Sequence, residues 1–266
     1  MQFDTLTVEA EGAVGRLTLT RPERLNAIGP HALRELAEAA RWFDARTDVR
    51  VVVVAGEGRA FSVGADLKQR GETAPQSWIE RREVGQVGLR MADAIESMRA
   101  VTIARVQGYA IGGGLVLMLA CDLRIAADDA IFQIPEVELG VPLAWGGIPR
   151  LVREIGPARA KELVMTCRRF TPAEAHAAGV VNRVVPARGL DAAVDELVRE
   201  LVQKPSVPMI LTKEHVNAVA RTMSAAATSF SDGDALLGAS ADPDSREAGR
   251  VYAKRRLGGG GGGGGD

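Results

Sequence analysis

The amino-acid sequence predicts an α/β protein with a layered core and a helical C-terminal part, and three observations lead to this fold class. Segments typical of strands and of helices alternate along most of the chain. The run VRVVVVAG at residues 49–56 is apolar and β-branched, which is typical of a strand buried on both faces. Beyond about residue 190 only helical periodicity remains, as expected when helices extend a layered α/β core.

The N-terminal elements can be assigned in chain order from their apolar spacing. TLTVEA and VGRLTLT predict a first hairpin, and residues 30–46 have the spacing of a helix. After the strand at 49–56, residues 76–99 predict an amphipathic helix, and VTIARVQG predicts a second buried strand. The glycines at 112–114 then precede LVLMLAC, a buried helix, and DLRIA, a strand.

The segment TPAEAHAAG at residues 171–179 carries the local signals of a complete short helix. Thr171 is placed to cap it, Pro172 to open it and Glu174 to complete a capping box. Gly179 is placed to end it. The final glycine run and Asp266, residues 258–266, predict a flexible tail.

Composition excludes several classes of function. The chain has 266 residues, 46% of them hydrophobic, and a net charge of -1, so we expect neither nucleic acid nor a membrane as partner. The N-terminus is acidic and no apolar run is long enough to span a bilayer, which predicts a cytoplasmic protein. Cys121 and Cys167 lack CxxC spacing and are expected to be buried free thiols.

Common catalytic motifs do not fit the sequence. The glycines do not have G-x-G-x-x-G spacing, and no G-x-x-x-x-G-K-[ST] loop is present, so a nucleotide-binding function is disfavoured. AFSVG at residues 60–64 misses the serine-hydrolase pattern G-x-S-x-G in its first position. The histidines are far apart in sequence, so no metal site is predicted.

Three adjacent glycines, Gly112, Gly113 and Gly114, lie where a strand is expected to end and a buried helix to begin. Their N–H groups have no intrahelical partners, the helix dipole adds positive potential, and no Cβ blocks a ligand oxygen. These features suit an oxyanion pocket. The alternative is that the glycines only allow close packing of the helix against the strand.

A second segment, GRAFSVGADLK at 58–68, also follows a buried strand with a turn of small residues. Together with GYAIGGG at 108–114, it resembles the enoyl-CoA hydratase/isomerase family of the crotonase superfamily. The segments RPERLNA, CDLRIA, IPEVELG, GGIPRL, AAGVVNRVV and REAGRVYAKRR also resemble family segments, in the family's order and spacing. The resemblance covers nearly the whole chain.

The resemblance implies a fold and an assembly. The fold would be a spiral of ββα units in residues 1–196, followed by a helical trimerisation region in residues 197–257. The protein would form a homotrimer or a hexamer made of two trimers.

It also implies an acyl-CoA thioester as ligand, whose carbonyl oxygen would accept hydrogen bonds from the N–H groups of Val63 and Gly113. Gly112 would let the thioester approach. No cofactor is implied, because coenzyme A is part of the substrate. The backbone of the first loop would hold the adenine end, and residues 69–90 would flank the acyl pocket. The binding residues implied in that loop are Ala60, Ser62, Gly64, Ala65 and Asp66.

Two cations are candidates for the CoA phosphates. Lys68 and Arg24 could make charge-assisted contacts with them, although each could equally be a solvated surface residue.

The acid/base residues separate this chain from the hydratases it resembles. Those enzymes use two glutamates, of which one matches Glu136 and the other is replaced by Val116. A single carboxylate facing a thioester enolate suits a double-bond shift, so the predicted reaction is enoyl-CoA isomerisation. Glu136 could instead be a surface group, and Glu138 is expected to be structural. Trp145 replaces a small residue and either narrows the acyl pocket or packs in the core.

Other reactions remain open at this point. The chain could be an enoyl-CoA hydratase in fatty-acid degradation with weak or altered hydration. It could also be an acyl-CoA-binding protein without activity, a reading that Val116 favours and Glu136 opposes. A thioester hydrolase or decarboxylase on the same scaffold is the third alternative.

Overall fold

The computed structural model describes residues 2–68, 77–223, 229 and 231–257. The strands are β1 Leu6–Glu11, β2 Val14–Leu19, β3 Val51–Gly56, β4 Val101–Val106, β5 Tyr109–Ile111, β6 Leu123–Ala127, β7 Ile131–Gln133 and β8 Arg183–Val185. The helices are α1 Pro30–Asp44, α2 Trp78–Ser97, α3 Gly113–Ala120, α4 Gly147–Thr166, α5 Pro172–Ala178, α6 Leu190–Val202, α7 Ser206–Met223, α8 Asp232–Ala241 and α9 Pro243–Leu257.

The strands form a main sheet and a small second one. The main sheet has the order β1-β2-β3-β4-β6-β8, in which β1 and β2 pair antiparallel as the predicted hairpin and the other neighbours pair parallel. β5 and β7 pair parallel beside it. The α/β class predicted from the sequence is confirmed. The short strand β8 ends the main sheet, and the short strand β7 belongs to the second sheet.

The run of valines in β3 is buried on both faces, as predicted. Val52 and Val54 face the larger core cluster, which also contains residues of α1, α2 and α3. Val51 and Val53 face a second cluster that contains Leu190 of α6. Because side chains alternate along a strand, a sheet covered on both faces requires apolar residues at every position.

The second core cluster contains one face of α6. Leu190, Val194, Leu197 and Val198 of this helix are all buried in it, against strands of the main sheet. The predicted division between residues 196 and 197 falls inside α6, and the assignment of two regions stays a prediction. The predicted glycine tail at 258–266 lies outside the described residues.

Local signals are realised as the sequence predicts. In α5, the N–H of Glu174 donates to Thr171 Oγ1 at 3.2 Å and the N–H of Thr171 donates to Glu174 Oε2 at 2.8 Å, forming the capping box. Gly179 ends the helix in the left-handed region. Cys121 and Cys167 are buried free thiols. In the part of the chain described, no helix has the length and apolar character needed to cross a membrane.

Candidate active site

The first loop, residues 58–68, is held between β5 and the segment that precedes α1. The N–H of Ser62 donates to Tyr109 O at 2.9 Å, and the N–H of Ile111 donates to Ser62 O at 3.1 Å. On the other side, the N–H of Ile28 donates to Gly64 O at 2.7 Å. These bonds fix the loop relative to β5 and therefore relative to the helix that follows it.

The first loop meets the glycine run at Gly64. A Cβ added to Gly64 would lie 2.5 Å from Ile111 O and 2.7 Å from Gly113 N, and Gly64 has φ +79°. Gly113 is the first residue of α3, so its N–H has no partner within the helix. The structure thus brings together the two segments that the sequence singled out, at the positive end of a buried helix.

The second predicted oxyanion donor, Val63, lies on the same loop, but its N–H has a partner. It donates to Leu25 O at 3.1 Å. A thioester oxygen would have to share this N–H with Leu25 or displace that carbonyl. Gly113 is therefore the better placed of the two predicted donors.

Glu136 faces the glycine run from the turn that follows β7. A Cβ added to Gly112 would lie 2.5 Å from Glu136 Oε1, and Gly112 has φ +51° and ψ -120°, a conformation that favours glycine. The turn is closed by the N–H groups of Leu139 and Val141, which both donate to Glu136 O at 3.0 Å. The glutamate predicted from the sequence is thus next to the glycine that begins the candidate oxyanion pocket.

The environment of this carboxyl group disfavours its charge. The residue as a whole is partly exposed, but its Oε2 atom is buried and has no hydrogen-bond partner among the described residues. Burial raises the pKa of Glu136 to about 7, against a smaller opposing effect of a backbone hydrogen bond. A carboxylate with this pKa can accept and return a proton near neutral pH. By contrast, Glu138 is exposed.

The raised pKa has a consequence for stability. The unfolded chain ionises Glu136 near pH 4.5 and the folded chain near pH 7, so the folded state binds more protons between these values and stability falls as pH rises through that window. We expect Glu136→Gln to raise the free energy of unfolding by roughly 1–3 kcal/mol at about pH 8 and much less at about pH 4. Urea denaturation at both pH values measures this, with Glu138→Gln as the exposed control. A gain of the same size at both pH values would contradict the assignment.

Two further side chains border the glycines. Val116 is fully buried on α3, and a Cβ added to Gly147 would lie 2.8 Å from its Cγ2. The indole of Trp145 covers Gly113, where an added Cβ would lie 2.7 Å from its Cη2. The surroundings of the candidate oxyanion donor are therefore apolar.

Comparisons with known proteins identify the family of this chain. The family model described as enoyl-CoA hydratase/isomerase matches residues 9–256. The chain belongs to the enoyl-CoA hydratase/isomerase family. It is an enzyme of that type.

Individual relatives support the same assignment. A "Probable enoyl-CoA hydratase" of Mycobacterium bovis is 36% identical over 82% of each chain. The "Short-chain-enoyl-CoA hydratase" of Clostridium acetobutylicum is 33% identical over 82% of each chain. The solved structure of an enoyl-CoA hydratase/isomerase from Xanthobacter autotrophicus superposes with a TM-score of 0.86 and 30% identity, covering 96% of this chain and 94% of that one. The crotonase fold expected from the sequence is thus confirmed.

The other binding residues implied by the family resemblance differ in their accessibility. Ala60 and Ser62 are fully buried, and the Ser62 hydroxyl donates to Asn26 O at 2.8 Å. Their side chains therefore shape the loop. Ala65 and Lys68 are exposed beside them. Of the predicted flank at 69–90, residues 69–76 lie outside the described residues.

Asp66 is buried and pairs with two arginines. Arg24 Nη2 lies 3.1 Å from Asp66 Oδ1, and Arg21 Nη1 lies 3.3 Å from Asp66 Oδ2. The guanidinium of Arg24 is thereby neutralised in part and oriented by the first loop. Its contact with a CoA phosphate stays a prediction, as does that of Lys68.

The sequence analysis assigned no role to Asn26. Its side chain holds the first loop, residues 58–68, in place. Its Nδ2 donates to Ala60 O at 2.8 Å and to Glu57 O at 2.9 Å, while its Oδ1 accepts from the N–H of Arg21 at 3.0 Å. Asn26 has φ +55°, and asparagine tolerates the left-handed region better than most residues. The presence of an asparagine in RPERLNA, with its tolerance for this conformation, is the feature of the sequence that could have indicated this role.

Gly88 is a second residue that the sequence did not assign. It lies inside α2, where glycine costs about 1 kcal/mol relative to alanine. A Cβ added there would overlap the pyrrole ring of Trp145. An unexplained glycine within a helical pattern was the only signal, and it did not indicate its partner.

Proposed function

We propose that the protein moves a proton between carbons of an enoyl-CoA thioester and so shifts its double bond, with Glu136 as the only acid/base. The observation that carries this proposal is the buried Oε2 of Glu136, which has no hydrogen-bond partner in the described part of the chain and lies beside the glycines that begin α3. The apolar side chains of Val116 and Trp145 lie where a second polar group would be needed to hold water. CoA enters as part of the substrate, and the reaction needs no other cofactor.

One carboxylate suffices for both proton transfers of the proposed reaction. The Glu136 carboxylate removes a proton from the α-carbon of a 3-enoyl thioester, and the electrons of that C–H bond form the enolate. The thioester oxygen takes the negative charge and accepts a hydrogen bond from the N–H of Gly113. The N–H of Val63 becomes the second donor where the thioester oxygen shares it with Leu25 O or displaces that carbonyl. The protonated Glu136 then returns the proton to the γ-carbon, and the product is the 2-enoyl thioester.

Incubation with 3-enoyl-CoA and 2-enoyl-CoA of several lengths tests the proposal. We expect isomerised product from the 3-enoyl substrate and, in D₂O, label at the α- and γ-carbons. A hydrated product from crotonyl-CoA, formed faster than any isomerised product, would contradict it. Free CoA or carbon dioxide would indicate thioester hydrolysis or decarboxylation instead.

Hydration of an enoyl-CoA is the second candidate, because the relatives at 33–36% identity are named as hydratases. It requires that Glu136 alone activates water.

A variant with a second carboxyl group in the site tests this requirement directly. Val116→Glu introduces a second carboxyl. However, Val116 is fully buried and packs against Gly147, so a longer side chain needs additional space. Combining it with Trp145→Ala provides space on the same side of α3, since residues 113 and 116 are three apart.

We expect Val116→Glu/Trp145→Ala to hydrate crotonyl-CoA at least ~10-fold faster than the parent, because two carboxyl groups can share the proton transfers of water addition. Loss of enoyl-thioester absorbance measures the rate. Trp145→Ala alone is the matched control and should not gain hydration. A parent that already hydrates as fast as the double variant would show that Val116 does not limit this reaction.

We further propose a homotrimer or a dimer of trimers. α7 has no buried residue, and several of its apolar side chains are exposed: Val207, Leu211, Val216, Val219 and Met223. Exposed apolar side chains in this number on one helix favour burial between subunits. Sedimentation equilibrium would test it, and a monomer at micromolar concentration would contradict it. A cytoplasmic location also stays a prediction.

A further inference from the structure

Trp145 adopts an unusual backbone conformation next to the candidate oxyanion pocket. Its φ is +59°, in the left-handed region that bulky residues rarely occupy. The cost of such a conformation is offset only where surrounding contacts impose it, and these positions cluster at functional sites. The side chain that this conformation directs toward α3 is therefore a candidate for a role beyond packing.

Contacts on both sides hold the turn that carries Trp145. The N–H of Gly147 donates to Ala144 O at 3.0 Å, which closes the turn. The N–H of Gly146 donates to Asp232 Oδ2 at 2.8 Å, which ties the turn to α8. Burial raises the pKa of Asp232, whereas its bond from Gly146 lowers it. The turn is thus fixed by its own backbone and by a distant helix.

The indole fills the space between α2 and α3. Its benzene ring covers Gly113, and its pyrrole ring covers Gly88. Neither helix could carry a Cβ at these positions without displacing the ring. The ring therefore packs against the same residue whose N–H would hold the thioester oxygen.

We propose that the indole of Trp145 is the wall that ends the acyl pocket and restricts the substrate to short acyl chains. This inference rests on the proposed binding of a thioester at Gly113. An acyl chain that leaves the carbonyl on this side meets the ring within a few carbons, where the ring packs between Gly88 of α2 and Gly113 of α3. A closed apolar wall typically discriminates against one added methylene by about 10-fold or more.

Binding of saturated acyl-CoAs measures this selectivity without requiring turnover. We expect calorimetry to show that the parent binds butanoyl-CoA at least ~10-fold more tightly than dodecanoyl-CoA. Trp145→Ala should remove or reverse that preference, and Trp145→Phe should give an intermediate ratio. Trp42→Ala is the matched control. Trp42 lies on α1, where its ring contacts Phe43 and the guanidinium of Arg46, and the variant should keep the parent ratio.

Asp232→Asn tests the support of the wall while leaving the indole in place. It replaces the charged acceptor of the Gly146 N–H, and we expect it to weaken the preference for butanoyl-CoA less than Trp145→Ala does. If Trp145→Ala does not fold, Trp145→Phe and Asp232→Asn decide the matter.

Three results would overturn the inference. A parent that binds both acyl-CoAs equally would overturn it and leave the proposed function intact. Variants of Trp145 that keep the parent ratio would do the same. Failure of the parent to bind any acyl-CoA would overturn both.

Discussion

Replacement of Glu136 by Gln is expected to lower turnover by ~10²–10⁴, because the amide keeps the size of the side chain but cannot carry the proton. The affinity for a CoA ester should change little, since the glutamine still fits beside Gly112. Release of deuterium from the α-carbon of a labelled acyl-CoA measures the proton transfer itself. This readout is independent of whether the product is isomerised or hydrated.

The pH dependence gives an independent check on the same group. Burial raises the pKa of Glu136 to about 7. The carboxylate form, which accepts a proton, therefore predominates only at pH values above about 7. The rate of the parent should therefore rise with pH and level off above about 7. Glu138→Gln should keep both the rate and the profile. An exchange rate in Glu136→Gln equal to that of the parent would exclude Glu136 as the base.

Gly113→Pro is expected to lower turnover by ~10²–10³, because it removes the N–H proposed to stabilise the enolate oxygen. Proline is tolerated at the first position of a helix, where the N–H has no intrahelical partner. However, any side chain at this position also meets the indole of Trp145. A loss of activity could therefore arise from displacement of that ring alone.

Gly113→Ala separates the two effects. It introduces the same Cβ against Trp145 but keeps the N–H, so the difference between the proline and alanine variants isolates the donor. We expect the proline variant to be at least ~10-fold slower than the alanine variant, with kcat rather than KM carrying the difference. Equal rates in the two folded variants would contradict a role for this N–H.

The sequence was sufficient where a structure depends on neighbouring residues. The capping box of Thr171 and Glu174 and the left-handed Gly179 appear as predicted, because each of these signals acts within a single turn of helix. The valines of β3 indicated burial on both faces for a similar reason, since alternation along a strand leaves no position for a polar side chain. The motifs also located Glu136 and the two glycine-containing segments of the site.

The tertiary structure alone decided how those segments act on one another. The Val63 N–H donates to Leu25 O, and the indole of Trp145 packs between Gly88 and Gly113. Glu136 Oε2 is buried with no hydrogen-bond partner among the residues that the structure describes. These features depend on contacts between residues far apart in the chain. Burial, and with it the pKa of a carboxyl or the accessibility of an N–H, is set by what the folded chain brings alongside, which no local pattern of residues records.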